Sequence, residues 1–474
     1  MYVTERLAEW GANVSAEHTP GAREAAKHAI LDVVGCMIAG AGDEGAAKVR
    51  DAVRGMGTGE AVVAGQLAKT SAPYAAMANG MASHSLDFDD TFMEAVSHAS
   101  ASLAPALLAL GDEINATGDA IISAYIVGLE MHGALGLALN RSHYEQGWHA
   151  TATIGVIGTA GACARLLGLD AWRFAHAMNL AFSSAAGTKV QFGSMAKPLH
   201  AALAAKNAVE AAKLAAAGVE GRVNTMEGPM GMMELYGGPD APGWDSAFEK
   251  FGDPLAIERQ GLTVKRFPCC AATHRAIDCV LELRELHGFT ADEVASVDAQ
   301  VRQGHIQNLR YSDPKSEIEA RFSMQYCLAV ALASGTISLS DFTPLAVMRP
   351  EIREMFSMIK MSAHDIEGAS EADPIPAIVM VTLKDNRSFE TRQNFQKGEP
   401  ANPLNDDERR AKFFDCCTSF LPDTDIETLR NTINKLENLD SIRDCTRLLR
   451  FEAGADRGER FERRAQQREP SLSG

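Results

Sequence analysis

The residue types best able to do chemistry gather in one stretch, Asn79-Gly-Met-Ala-Ser-His-Ser-Leu-Asp-Phe-Asp-Asp-Thr91, with His98 a short loop later. Read as a helix, the stretch sets His84, Asp87, Asp90 and Thr91 on one side, because positions three and four apart are neighbours on a helix surface. Met77, Met81, Leu86 and Phe88 add apolar surface nearby, and charges held beside a core cost free energy unless they are paired or used. The plainer alternative is a helix end whose aspartates cap backbone N–H groups. Two further groups stand where helices start: His149 in Gly147-Trp-His-Ala-Thr-Ala-Thr-Ile-Gly155, and Lys197 with His200 around Pro198. A helix start offers unpaired N–H groups to an anion, and proline suits the first helical turn. Taken singly, the histidine reads equally well as a cap and the lysine as a solvated side chain. Taken together, aspartate, histidine, lysine and threonine at several helix starts suit removal of a proton next to a carboxylate. Cations stabilise the developing anion, and a group tuned near working pH exchanges the proton.

Other chemistries lack their motifs. The chain has no HExxH and no CxxC, so no zinc site of the usual kinds is expected, and it has no GxSxG nucleophile elbow. Gly55-Met-Gly-Thr-Gly59 has no strand leading into it, whereas a dinucleotide loop must follow a strand and open a helix, so it reads as a turn.

The elements that must position these groups are mostly helical. Ala25, Ala26, Ile30, Val33 and Val34 recur at helical spacing within 20–40, and small and aliphatic residues do the same over 102–139 and 151–169 with few polar faces. Helices apolar all round are normally buried. An Ala-rich helix is expected from Lys197 to about Ala217. After Trp244 the pattern changes: an amphipathic helix runs from about His274 through Leu286, 295–301 alternates as a strand does, and 377–383, 384–387 and 388–392 read as strand, turn and strand. This is an α+β module set late in a helical chain. Helix returns after Pro403, with Phe413, Phe414, Cys417 and Leu421 on one face, and the charged composition from Glu452 onward reads as a disordered tail over 452–474.

At 474 residues the chain exceeds what one core usually serves, so two domains are expected. A net charge of −17 argues against nucleic acid, which needs a basic face. The nine cysteines follow no pairing pattern and read as reduced thiols in a cytosol-like compartment. Met1-Tyr-Val-Thr-Glu-Arg lacks a signal-peptide pattern, and the apolar runs carry His, Gly or charge before reaching membrane-spanning length, so a cytoplasmic protein without membrane attachment is expected.

The combination of His84, Asp87-Phe-Asp-Asp-Thr91, His98, Gly147-Trp-His149, Lys197-Pro-Leu-His200, Lys265-Arg-Phe-Pro-Cys-Cys270, Thr273-His-Arg-Ala-Ile-Asp278 and Phe322-Ser-Met-Gln-Tyr326 resembles the MmgE/PrpD family over about residues 3–425. The family includes 2-methylcitrate dehydratase, cis-aconitate decarboxylase and iminodisuccinate epimerase. The resemblance implies a mainly α protein: a large all-helical domain, 1–262 completed by 400–450, and a smaller α+β lid domain, 263–399. It implies a cofactor-free, metal-free homodimer acting on small di- or tricarboxylates. Asp87 and His98 then resemble the acid/base pair, Lys197 and His149 the groups that hold carboxylates and stabilise charge, and Thr91, Lys265, His274 and Tyr311 the substrate contacts. In the family's decarboxylases a histidine stands near Cys270, and the loop from Thr91 to His98 is one residue shorter. His98-Ala99 also replaces the usual His-Pro, and His143-Tyr-Glu-Gln-Gly-Trp-His149 is similar to epimerase-type members. The expected function is a lyase that eliminates water from a citrate-like hydroxy acid. Epimerisation, decarboxylation and a non-catalytic binding role on the same fold are the alternatives.

Overall fold

In a computed structural model, residues 1–364 and 376–453 are described. They divide into two compact units, Met1–Thr263 together with the described residues from Ala411 on, and Val264–Arg410. From 454 onward the expected tail lies outside the described residues.

Small side chains decide how the first unit packs. Its main helices are α1 (Val3–Asn13), α2 (Pro20–Gly40), α3 (Glu44–Ala52), α4 (Ala72–His84), α5 (Ala99–Ile114), α6 (Gly118–Leu139), α7 (Ala150–Leu166), α8 (Ala171–Phe182) and α9 (Ala196–Ala216). The apolar run 102–139 is two helices, because Asn115 caps α5 in the left-handed conformation. α9 lies against α4, α7 and α8, and α4 lies against α2 and α5. Glycine makes the closest of these approaches possible: a Cβ on Gly40 would stand 1.9 Å from the carbonyl oxygen of Ala82. From Ala411 the chain rejoins this unit, and the helix Asp423–Asn434 buries Ile426, Leu429 and Ile433, packing on α2.

One sequence expectation fails here. Gly118–Leu139 is long and apolar enough to cross a membrane, although its sequence was expected to interrupt such a run. In this fold 89% of its most apolar window is buried, and Glu130 and His132 are buried with it, so it serves as a core helix. Glu130 is satisfied by accepting from the backbone N–H groups of Gly252 and Ala256.

The second unit wraps α10 (Ala271–His287) and α11 (Met324–Ser334) around a four-stranded sheet of order β2-β1-β3-β4. Its strands are β1 (Val294–Val301), β2 (Ile359–Ala363), β3 (Ala377–Leu383) and β4 (Ser388–Gln393). Ala377, Val379, Val381 and Leu383 point inward from β3, the alternation expected of a half-buried strand, and α10 covers β3 and β4. β2 pairs parallel with β1 and was not legible as a strand.

Candidate active site

The acidic stretch is not one helix. α4 ends at His84, and Asp87 takes a left-handed conformation at φ 53°, which redirects every side chain after it. The side reading that grouped His84, Asp87, Asp90 and Thr91 is therefore corrected. In the turn, Asp87 accepts from Lys197 Nζ at 2.6 Å, whereas Asp89 and Asp90 are fully buried. Phe88 is buried, and its carbonyl accepts from Lys412 Nζ at 2.8 Å. Thr91 closes the turn through paired backbone hydrogen bonds with Thr263.

Three helix starts supply the remaining groups. His98 is the N-cap of α5, His149 is the N-cap of α7, and Lys197 lies in the first turn of α9. The rings form a chain of neighbours: centroids are 4.3 Å apart for His84–His98, 6.1 Å for His84–His149 and 5.1 Å for His149–His200. Lys197 Nζ stands 5.5 Å from the centre of the Phe192 ring, which itself meets His149 edge-on at 5.0 Å. The four residues expected to be catalytic, Asp87, His98, His149 and Lys197, are thus brought together.

Asp89 holds the centre. Its carboxylate lies 2.9 Å from His84 Nδ1 and 3.0 Å from His98 Nδ1. Burial alone would raise this carboxyl, but the two imidazoles on it outweigh burial and hold it well below the usual carboxylate range. Burial pushes His84 down to about 4 in spite of Asp89, so that ring is neutral near pH 7. Burial likewise lowers His149 well below the ordinary histidine range, assisted by the neighbouring His84 and Lys197. Asp90 goes the other way. Burial, then the nearby charge of Asp32, raises it to about 8, and the protonated group sits in a chain with Ser100 and Tyr125.

His84, Asp89 and His98 place one ligand atom each within 4.8 Å of one another, a donor set that could hold a divalent cation. His98 Nδ1 also lies 2.9 Å from the carbonyl oxygen of Asp90, which can only accept. That nitrogen therefore carries hydrogen, and the trio reads as hydrogen-bonded rather than metal-bound. Asp89 was present in the sequence motif but had no role assigned to it, because its function depends on the turn.

Exposure divides these groups into two sets. The side chains of Asp87, Lys197 and His98 keep 16%, 15% and 13% of their surface, whereas Asp89 and His84 keep none. The reachable set can meet a ligand, and the buried set can only support it. A surface depression of about 570 Å³ over Gly147, Trp148, Thr188 and Lys189 is lined by none of the four catalytic candidates.

Lys265, His274 and Tyr311 belong to the second unit. Lys265 is buried, and Tyr311 is exposed beyond a short helix. His274 is completely buried in α10, with Nε2 on the carbonyl oxygen of Cys269 and its ring edge-on to Phe267. Cys270 is the N-cap of α10.

Comparison with known proteins finds the MmgE/PrpD N-terminal domain over residues 5–245 and the MmgE/PrpD C-terminal domain over residues 267–438. A cis-aconitate decarboxylase of Mus musculus is 29% identical over 465 residues, covering 94% of this chain and 93% of the relative. One of Homo sapiens is 28% identical over 386 residues, 80% of this chain and 79% of the relative. One of Aspergillus terreus is 26% identical over 385 residues, covering 77% and 79%.

Proposed function

Because the chain belongs to the MmgE/PrpD family, we propose that it is a lyase acting on a small di- or tricarboxylate, with loss of CO2 from a cis-aconitate-like acid as its first reaction. The names of the similar proteins move this reading ahead of water elimination, which the sequence put first. In such a decarboxylation the pair of electrons from the breaking C–C bond forms a new alkene. The original alkene carbon then takes up a proton, and the carboxylate leaves as CO2.

The observation that carries the proposal is the pinning of His98. Its Nδ1 side is fixed by Asp89 and by the Asp90 carbonyl, so Nε2 is the edge left for a proton transfer, in a ring that keeps some surface. Lys197 supplies the cation for a substrate carboxylate, exchanging or sharing its bond to Asp87, and the starts of α5 and α7 add N–H groups. The imidazolium that donates the proton is stabilised by Asp89. Thr91, Lys265, His274 and Tyr311 as substrate contacts, the homodimer and the cytoplasmic setting belong to the same proposal.

One observation favours a second reading, removal of a proton followed by loss of water or by return of the proton from the other face. Cys270 stands where the decarboxylase resemblance expects a histidine, which removes one proton donor from the set. Both readings are tested by incubating the protein in deuterated water with cis-aconitate, with citrate-like hydroxy acids and with amino dicarboxylates, followed by NMR. Loss of CO2 with deuterium entering the product supports the first reading. An alkene from a hydroxy acid, or exchange without net product, supports the second. No change in any acid refutes both and leaves a binding protein. His98→Ala should lower kcat about 10²–10⁴-fold with little change in KM, as loss of a proton-transfer group does. An equal loss in both would remove His98 from that role.

A further inference from the structure

We infer that Asp89 is a positioning residue for proton transfer: one buried carboxylate accepts Nδ1–H from His84 and stands 3.0 Å from His98 Nδ1, whose hydrogen goes to the Asp90 carbonyl, so that both rings are committed to present Nε2. This deepens the reading above and rests on it for the identity of the transferring ring.

The tautomers follow from what each atom can do. His98 Nδ1 faces two oxygens, Asp89 Oδ2 and the Asp90 carbonyl, and the carbonyl cannot donate. His84 Nδ1 faces both oxygens of the same carboxylate, at 2.9 and 3.0 Å. With Asp89 ionised, both nitrogens must carry hydrogen. A neutral imidazole has one N–H and one acceptor nitrogen, so each Nε2 is then a lone pair. The Nε2 of His84 is buried and has no hydrogen-bond partner among the described residues.

The two rings do not share the carboxylate's charge equally. With centroids 4.3 Å apart, two imidazolium ions would repel across a buried space. His84 has no exposed surface, which favours its neutral form, whereas His98 keeps 13%. The single negative charge of Asp89 therefore serves His98 when it takes a proton. The charged and titratable groups around that ring are Asp89, Asp90, His84, His149 and Lys197. Of these, Asp89 is the anion that touches it.

Asp89→Asn separates this role from a structural one. The amide removes the negative charge beside His98, whose Nδ1–H stays on the Asp90 carbonyl, and it offers His84 one acceptor oxygen where the carboxylate offered two. Losing the charge that stabilises and orients a catalytic histidine, on the pattern of an orienting carboxylate behind it, costs about 10²–10⁴-fold in kcat. KM should change by only a few-fold, and the imidazole limb of the pH–rate profile should move to lower pH. A carboxylate that only stabilises the fold would lower the melting temperature and the active fraction, leaving the limb where it is.

The second measurement needs no substrate. In protein labelled with 15N at histidine, with His84→Gln and His98→Gln variants for assignment, both rings should carry hydrogen at Nδ1 near pH 7.5. A ring with hydrogen on Nε2 and none on Nδ1 in the native protein overturns the inference, as does an Asp89→Asn enzyme with native kcat and native pH limb. If Asp89→Asn fails to fold, the native tautomers decide. If no acid is turned over, the function proposed above fails while the tautomers still test Asp89.

Discussion

Lys412 links the end of the chain to the reactive turn, and its removal gives a test with a size that can be worked out. Its Nζ lies 2.6 Å from Asp32 Oδ1 and donates to the carbonyl oxygen of Phe88, between Asp87 and Asp89 in the chain, at 2.8 Å. The side chains of Lys412 and Asp32 keep only 5% and 7% of their surface. Lys412→Met fills similar volume and leaves Asp32 as a buried charge without its cation. Breaking a buried pair by removing one partner costs about 3–5 kcal/mol. That is a large share of the roughly 5–15 kcal/mol that holds a domain together.

Trp10, Trp148, Trp172 and Trp244 all lie in the first unit, so urea unfolding followed by tryptophan fluorescence reads that unit alone. The loss should shrink as pH falls, because a stranded carboxylate can take up a proton. The double variant Asp32→Asn/Lys412→Met should recover about 2 kcal/mol or more of it, since the buried negative charge is then gone. The anchor on Phe88 is still missing in the double variant, so kcat should stay low while stability returns. A cost for Lys412→Met under about 1 kcal/mol, the range of an exposed pair, would refute the reasoning. So would a double variant no more stable than the single one.

Three other outcomes are expected. Lys197→Ala should raise KM for a carboxylate substrate about tenfold or more, the loss of one partly buried charged contact, and Asp87→Asn should raise it less. Stability should fall as pH drops from about 6.5 toward 4: His84 and His143 are both held at about 4 by burial, so the unfolded chain binds their protons first. It should also fall as pH rises toward 8, because Asp90 keeps its proton to about 8 when folded and loses it near 3.8 when unfolded; Asp90→Asn should flatten that limb of a melting-temperature profile. Gly40→Ala should cost about 2 kcal/mol or more in the same urea assay, because its Cβ would stand 1.9 Å from the Ala82 carbonyl oxygen and α2 would have to leave α4. An unchanged midpoint would show that the helices have room to move.

Local pattern made much of this legible. The helical period of 20–40 and 151–169, Pro198 at the start of α9, and the strand–turn–strand of 377–392 each depend on residues a few positions apart, and each is where the pattern put it. His149 and Lys197 were legible for a similar reason, since each reads as a helix start, whereas His98 was singled out by its place a short loop after the acidic stretch. What failed was decided at a distance. α4 stops at His84, and the turn beyond it is held by Lys412, 324 residues on from Phe88. No periodicity in 79–91 carries that contact, so the sequence could supply three aspartates but could not sort them. β2 was missed because five residues with one fully buried position carry little alternation, and it forms by pairing with β1 more than fifty residues earlier.

The sorting of the three aspartates is what makes the site workable. If all three were ionised, Asp87, Asp89 and Asp90 would oppose one lysine and would repel an anionic substrate. Each is handled differently instead. Asp87 is neutralised by Lys197 at a place a ligand can reach, Asp90 is kept protonated by burial and by the charge of Asp32, and only Asp89 stays a buried anion, with two imidazole rings against it. Of the carboxylates packed around the rings, one negative charge then remains to favour a protonated His98, and Lys197 is left to meet a carboxylate from outside. Exchanging the environments of Asp89 and Asp90 would keep the composition of the motif and lose its use. An ionised Asp90 would sit against Ser100 and Tyr125, and a protonated Asp89 would no longer favour the proton on His98 that the proposed reaction has to deliver.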